Sequence, residues 1–148
     1  MKATFLTSVF AVLVATANLN AKDVKVYSNV SSNESGVNKE YVALDEETSK
    51  PLSKGTYNYS VDGKIQDKTV SKWQDDKGWV NAGKHEYQYG KSGKISSITY
   101  TKWDDKTGRW SSTSSLIINV YNDNDEFLSV KQIQIDNTTD DHGFISQK

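Results

Sequence analysis

The stretch Tyr57–Trp73, YNYSVDGKIQDKTVSKW, recurs thirty residues later as YQYGKSGKISSITYTKW, Tyr87–Trp103. Weaker copies flank these two units. Downstream, Val120–Ile135 repeats the pattern with Asp125 in place of the turn glycine. Upstream, Leu44–Pro51 has the same length as Trp103–Trp110, with Leu and Pro in place of the two tryptophans. Identical positions in the two central units are Tyr57/Tyr87, Tyr59/Tyr89, Gly63/Gly93, Lys64/Lys94, Ile65/Ile95, Lys72/Lys102 and Trp73/Trp103. A fixed period with degenerate ends is typical of a repeat-built protein, whose terminal repeats cap the array.

Each unit has the pattern of β-strands. Tyr57, Tyr59 and Val61 alternate with polar residues, which predicts a strand with one face buried. The continuous apolar run Leu116–Tyr121 predicts a central strand. The alternation slips after Ile65 and again after Ile95, so a β-bulge is expected in each copy.

Turn residues separate these strands at both ends. Asp62-Gly63 predicts a two-residue type I′ turn, and Gly78 and Gly108 mark the turns at the other end. The fold class is therefore all-β, an antiparallel meander of about seven long hairpin-connected strands in one twisted or curved sheet. The predicted strands are 40–45, 50–61, 64–74, 78–90, 94–104, 109–122 and 126–135. The pattern leaves open whether the sheet rolls into a barrel, folds on itself or pairs with another molecule.

The N-terminus has the layout of a secretory signal peptide. Lys2 is followed by an uncharged apolar run and then by small residues, so we predict a signal peptide at 1–21, with cleavage after Ala21 or, alternatively, after Ala17. The remaining residues, 22–148, form a single all-β domain. Its first part, 22–38, is expected to begin as an edge strand and to continue as a loop, and its C-terminal tail is expected to be loosely ordered.

Composition restricts the location and the partners. The chain has no cysteine, which excludes disulfides, a thiol nucleophile and a lipoprotein anchor. A net charge of −1 gives no footprint for nucleic acid, and no transmembrane segment is expected in the mature chain. We therefore expect a soluble protein of the periplasm or the cell exterior.

No catalytic constellation is evident. The two histidines, His85 and His142, lie in a predicted strand and in the tail, without a nucleophile motif. The carboxylates cluster in predicted turns, where Asp is favoured for local hydrogen bonds. Asn122–Glu126, NDNDE, resembles a calcium loop only faintly, since the glycine and the distant Glu are missing. Hence we predict no enzyme activity, no cofactor and no metal.

The aromatic residues remain as candidates for binding. Trp73–Trp79, WQDDKGW, and Trp103–Trp110, WDDKTGRW, each place two tryptophans around a charged turn. Exposed rings of this kind can stack on sugars or on a protein partner, but cross-strand pairing that holds the hairpin is the favoured interpretation. The candidate binding residues are Trp73, Trp79, Trp103, Trp110, Tyr57 and Tyr87.

These paired units, the tryptophan-bracketed turns, the absence of cysteine and the short signal peptide together resemble a family of small exported Bacteroides proteins, domain of unknown function 3836. The resemblance implies origin and compartment and supplies no active-site residues. We expect an exported, non-enzymatic protein that acts by binding or assembly at the bacterial cell envelope, with a glycan or an envelope protein as partner. The alternatives are a glycan-active hydrolase and a periplasmic inhibitor or helper protein that docks a protein partner.

Overall fold

The computed structural model describes residues 23–138, which form one eight-stranded antiparallel sheet. The strands are β1 (Val24–Asn33), β2 (Gly36–Asp45), β3 (Pro51–Tyr59), β4 (Ile65–Gln74), β5 (Gly78–Tyr89), β6 (Ile95–Asp104), β7 (Arg109–Tyr121) and β8 (Phe127–Asp136). Their order in the sheet follows the sequence, and each strand contacts only its sequential neighbours. The predicted all-β meander is confirmed, and the sheet is open, with β1 and β8 as its edges.

The structure has one strand more than the seven counted in the sequence. β1 continues to Asn33, where a loop was expected, and β2 begins at Gly36 rather than at 40. A tight turn joins them, since Asn33 pairs with Gly36 across two residues. Valines alternate in the first part of β1, at Val24, Val26 and Val30, but its last three residues are polar, and an exposed edge strand does not need apolar side chains there.

The predicted bulges are confirmed. Asn58 pairs with Asp67, whereas the next residue, Tyr59, pairs with Ile65, so that Gln66 is the extra residue. The same shift recurs between β5 and β6 and between β7 and β8. The bulge therefore belongs to the repeat, and it explains the slip in alternation after Ile65.

The turn at Asp62-Gly63 differs from the prediction. Only Gly63 has a positive φ, of 80°, whereas a type I′ turn requires it at both central residues. The Gly63 amide donates to the Ser60 carbonyl, and the Ser60 amide donates to the Lys64 carbonyl. The loop is thus a three-residue connection with a left-handed glycine, which leaves Asp62 in an ordinary conformation.

The two faces of the sheet differ in their aromatic residues. One unbroken cross-strand row consists of Val30, Lys39, Tyr57, Lys68, His85, Tyr100, Ser115 and Gln134. By alternation from this row, seven of the eight tyrosines share its face, here called the tyrosine face. All four tryptophans lie on the opposite side, the tryptophan face.

No second layer covers either face in residues 23–138. Ala43 is the only buried hydrophobic residue there, and no large side chain is fully buried. Cross-strand side-chain pairs therefore provide the stabilisation that a two-layer core provides in most domains. No helix of this region is long and apolar enough to cross a membrane. The predicted signal peptide and His142 lie outside the described residues.

Candidate functional site

The tryptophans of each hairpin pack against one another. Trp73 and Trp79 are directly opposite in the register, with ring centroids 5.2 Å apart and planes at 78°. Trp103 and Trp110 repeat this geometry at 5.0 Å and 84°. The expected facing of the rings across the turn is confirmed, and edge-to-face pairs of this kind stabilise the hairpin.

Lysine side chains cover part of these tryptophans. Lys54 Nζ lies 5.0 Å from the ring centroid of Trp79, and Lys84 Nζ lies 5.4 Å from that of Trp110. Both distances permit a cation–π interaction. Trp79 and Trp110 each contact the partner tryptophan and also lie beneath a lysine, so they offer little free ring surface to a sugar.

Tyr57 and Tyr87 lie on the tyrosine face. The Tyr57 ring meets Tyr41 edge to face at 5.6 Å, and Lys68 Nζ lies 5.3 Å from its centroid. Burial raises the pKa of Tyr87, and the nearby Tyr57 adds a smaller contribution in the same direction. Both tyrosines therefore belong to a close-packed group, and neither lines the main groove of this face.

That groove crosses the tyrosine face from β5 to β8 and has a volume of about 710 Å³. Its lining combines an aromatic ring, a histidine, hydroxyls and amides: His85, Tyr100, Lys102, Ser111, Thr113, Ser115, Ile117, Gln132 and Gln134. None of the six candidate residues predicted from the sequence is among them. Four strands contribute to the groove, so its composition is not visible in any single motif.

Tyr100 lies over the backbone because its cross-strand neighbourhood contains Gly83. A Cβ at Gly83 would meet Tyr100 Cε2 at 2.8 Å and its hydroxyl at 2.9 Å. The glycine therefore makes room for the ring to lie along the sheet, an arrangement in which an aromatic covers a strand glycine. His85, directly opposite Tyr100 in the register, packs against it at 4.8 Å with a 40° tilt.

His85 lines the groove and carries a buried polar atom without a partner in the described sheet. Its Nδ1 is buried from solvent and has no hydrogen-bond partner among residues 23–138. Burial, assisted by the charge of Lys68, lowers the pKa of His85, so that the neutral imidazole is favoured at neutral pH. A buried nitrogen without a hydrogen-bond partner costs free energy, so this atom sets His85 apart from the other polar groups of the sheet.

At the other side of the groove, the amides are partly fixed. The Gln132 amide nitrogen donates to Ser115 Oγ at 2.7 Å, which leaves its carbonyl oxygen for other partners. A smaller groove of about 290 Å³ lies on the tryptophan face. Its polar centre is satisfied internally, because Thr101 and Ser114 share a 2.6 Å hydrogen bond and Asn137 donates to Ser114.

Several carboxylates of the turns are engaged locally. Asp104 accepts hydrogen bonds from the Lys106 amide and the Thr107 hydroxyl, which hold the pKa of its carboxyl below the usual range. Asp75 forms an exposed ion pair with Lys50. Within the described sheet no group of three or more acidic or histidine residues could hold a metal ion.

A family model described as "Family of unknown function (DUF3836)" matches residues 1–139. The chain is similar to a DUF3836 family protein from Parabacteroides distasonis, known from a crystal structure, with 17% sequence identity and a TM-score of 0.44. This match covers 78% of the present chain and 94% of the Parabacteroides chain. A second, from Bacteroides vulgatus, is 21% identical with a TM-score of 0.41, over 57% and 87%. No curated protein matches the sequence.

Proposed function

We propose that this chain, which belongs to the DUF3836 family of unknown function, is an exported, non-enzymatic protein that binds a polysaccharide in the groove of its tyrosine face. One observation carries the proposal. The groove joins an aromatic ring that lies along the sheet, Tyr100, to a lining rich in hydroxyls and amides that also includes His85.

This combination suits a saccharide. The apolar side of a sugar ring packs on an aromatic face, while its hydroxyls require neutral donors and acceptors placed around that ring. Tyr100 supplies the face, and His85, Gln132 and Gln134 supply polar atoms on both sides of it. The open shape of a groove on a sheet favours an extended chain over a small enclosed ligand.

The charge of the groove favours a neutral or anionic ligand. Lys102 contributes to the lining, Lys68 lies opposite His85 in the register, and no carboxylate is among the residues that line the groove. Glycoside hydrolysis requires two carboxyl groups that flank one bond. The lining thus supports binding without hydrolysis. Export to the envelope is supported by the signal-peptide pattern at 1–21 and remains part of the proposal.

The test is affinity electrophoresis of the purified protein in gels that contain a soluble glucan, a xylan or polygalacturonate. Retardation by at least one polymer is expected. Tyr100→Ala should abolish it, because the stacking surface is lost. The matched control is Tyr59→Ala, since Tyr59 lies on the same face outside the groove.

Thermal melts of both variants separate lost binding from lost folding. Normal migration of the wild-type protein in all three gels would contradict the proposal, as would equal loss in both variants. Release of reducing sugar from a polymer that retards the protein would show that the protein is a hydrolase and would contradict the non-enzymatic function. A protein captured from envelope extract through Tyr100, without any polysaccharide binding, would favour the helper-protein alternative.

A further inference from the structure

The exposed apolar side chains of the described sheet collect on its two edge strands. Of eight large hydrophobic residues that are exposed, only Val61 lies elsewhere, in a turn. The others are Val24, Val26 and Tyr27 on β1 and Phe127, Leu128, Val130 and Ile133 on β8. Interior residues of similar size, such as Ile98 and Ile117, are half-buried because a neighbouring strand covers each side.

Both edges lack the features that usually prevent edge-to-edge pairing. Such features include proline, several charged residues and short length. β1 and β8 are ten residues each, neither contains proline, and Lys25 and Lys131 are the only lysines in them. No strand of residues 23–138 pairs with the outer side of either one. The outward amide and carbonyl groups of both strands are therefore open to a further strand.

The phase of the two edges makes them complementary. Because the meander has eight strands, β1 and β8 run in opposite directions, as an added antiparallel strand must. Val30 and Gln134 belong to the tyrosine face, which fixes the alternation along each edge. If Val24 of one copy lies opposite Asp136 of another, the pairing 24–31 with 136–129 keeps tyrosine face beside tyrosine face throughout.

This register also matches the chemistry of the side chains. It places the exposed Tyr27 opposite the exposed Ile133. The exposed Val130 falls opposite Val30, which is partly buried, so that apolar side chains meet at both points. Lys131 falls opposite Asn29, and no two like charges are opposed. Two β8 strands, by contrast, do not match over their full length. If Phe127 of one lay opposite Asp136 of the other, residues of the tyrosine face would lie beside residues of the tryptophan face, and only a shift by one residue avoids this.

We propose that β8 of one molecule pairs antiparallel with β1 of a second copy, so that successive copies extend one continuous sheet. Each added copy buries the apolar residues of two edges and leaves one β1 and one β8 free. Such a head-to-tail contact does not close on itself, so a series of oligomers or a filament results. This assembly does not use Tyr100 or His85, but it brings a neighbouring β1 against Gln132 and Gln134 at the rim of the groove.

The test uses sedimentation velocity of the full-length protein and two edge variants over a range of concentrations. The wild-type protein should form a concentration-dependent series of oligomers. Val130→Lys on β8 and Val26→Lys on β1 should each be monomeric, because each loses one of the two complementary edges. Val61→Lys is the matched control, since Val61 is exposed in a turn, and it should assemble as the wild type does.

Mixing the two edge variants gives the decisive result. Val130→Lys retains an intact β1 edge and Val26→Lys an intact β8 edge, so an equimolar mixture should form dimers and nothing larger. Association of Val26→Lys alone would show β8–β8 pairing and overturn the head-to-tail arrangement. A wild-type protein that stays monomeric at every concentration would overturn self-assembly itself. Polysaccharide retardation should persist in all three variants, because Tyr100 is unchanged in each.

Discussion

Two cross-strand aromatic pairs of the same sheet, Trp73–Trp79 and His85–Tyr100, share one type of pairing and differ in what they leave open. In both, the two residues are directly opposite in an antiparallel register. The tryptophans meet edge to face at a hairpin end, and a lysine lies over Trp79. The second pair is tilted, sits in mid-strand and lines a groove with an unpartnered nitrogen.

The difference teaches that aromatic content alone does not identify a binding site in a single-layer sheet. Each face must use cross-strand pairs to stabilise the fold, so most rings are engaged with one another. A site becomes apparent where a ring lies flat and where a polar atom has no internal partner. At His85–Tyr100, Gly83 provides the first condition and the Nδ1 atom provides the second.

The largest expected effect comes from breaking the tryptophan pair. Trp79→Ala removes the edge-to-face contact and half-buried apolar area, so the free energy of unfolding should fall by about 2 kcal/mol. Urea denaturation followed by circular dichroism measures this. Trp79→Phe keeps a ring opposite Trp73 and should lose less. Unchanged stability together with lost polysaccharide retardation would reverse the roles assigned to the two pairs.

A smaller effect is expected at the glycine beneath Tyr100. In Gly83→Ala the new methyl group lies 2.8 Å from Tyr100 Cε2 and displaces the ring, which should cost about 1 kcal/mol of stability. The matched control is Gly55→Ala, where the nearest Tyr57 atom is 3.1 Å away. Both variants should melt earlier than the wild type, but only Gly83→Ala should weaken polysaccharide retardation. Equal retardation in the two would mean that the position of Tyr100 is irrelevant to binding.

Much of the fold was accessible from the sequence because the repeat encodes it locally. The period aligned the strands, the slip after Ile65 located the bulge, and the spacing of Trp73 and Trp79 placed them opposite one another. β1 was only partly recognised, because an exposed edge strand needs little apolar alternation. The prediction of a type I′ turn at Asp62-Gly63 was wrong, since the dipeptide Asp-Gly also suits a three-residue loop whose last residue is left-handed.

The groove was not accessible in the same way. Its residues come from four strands and do not share a motif, so that only the register brings Tyr100 beside Ser115 and Gln134. Gly83 and Tyr100 are diagonal neighbours on adjacent strands, since Gly83 pairs with Lys102 and His85 pairs with Tyr100, and no pattern along one strand reveals this contact. The sequence indicated the tryptophans because they are prominent in the repeat, whereas the buried, unpartnered nitrogen of His85 is a property of packing.

The smallest effect concerns the titration of His85. Because burial lowers the pKa of His85 in the folded protein, the unfolded chain takes up this proton first as the pH falls below about 6.5. The free energy of unfolding should therefore decrease through that range and level off below the folded-state pKa. The measurement is the difference between wild type and His85→Gln in urea denaturation from pH 7.5 to pH 4.5, since the carboxylates contribute to both and cancel. If the free energies of unfolding of the two proteins changed in parallel with pH, His85 would not be desolvated in the folded state. A wild type that gains stability in acid would reveal an anionic partner for the imidazolium, whereas no carboxylate is among the residues that line the groove.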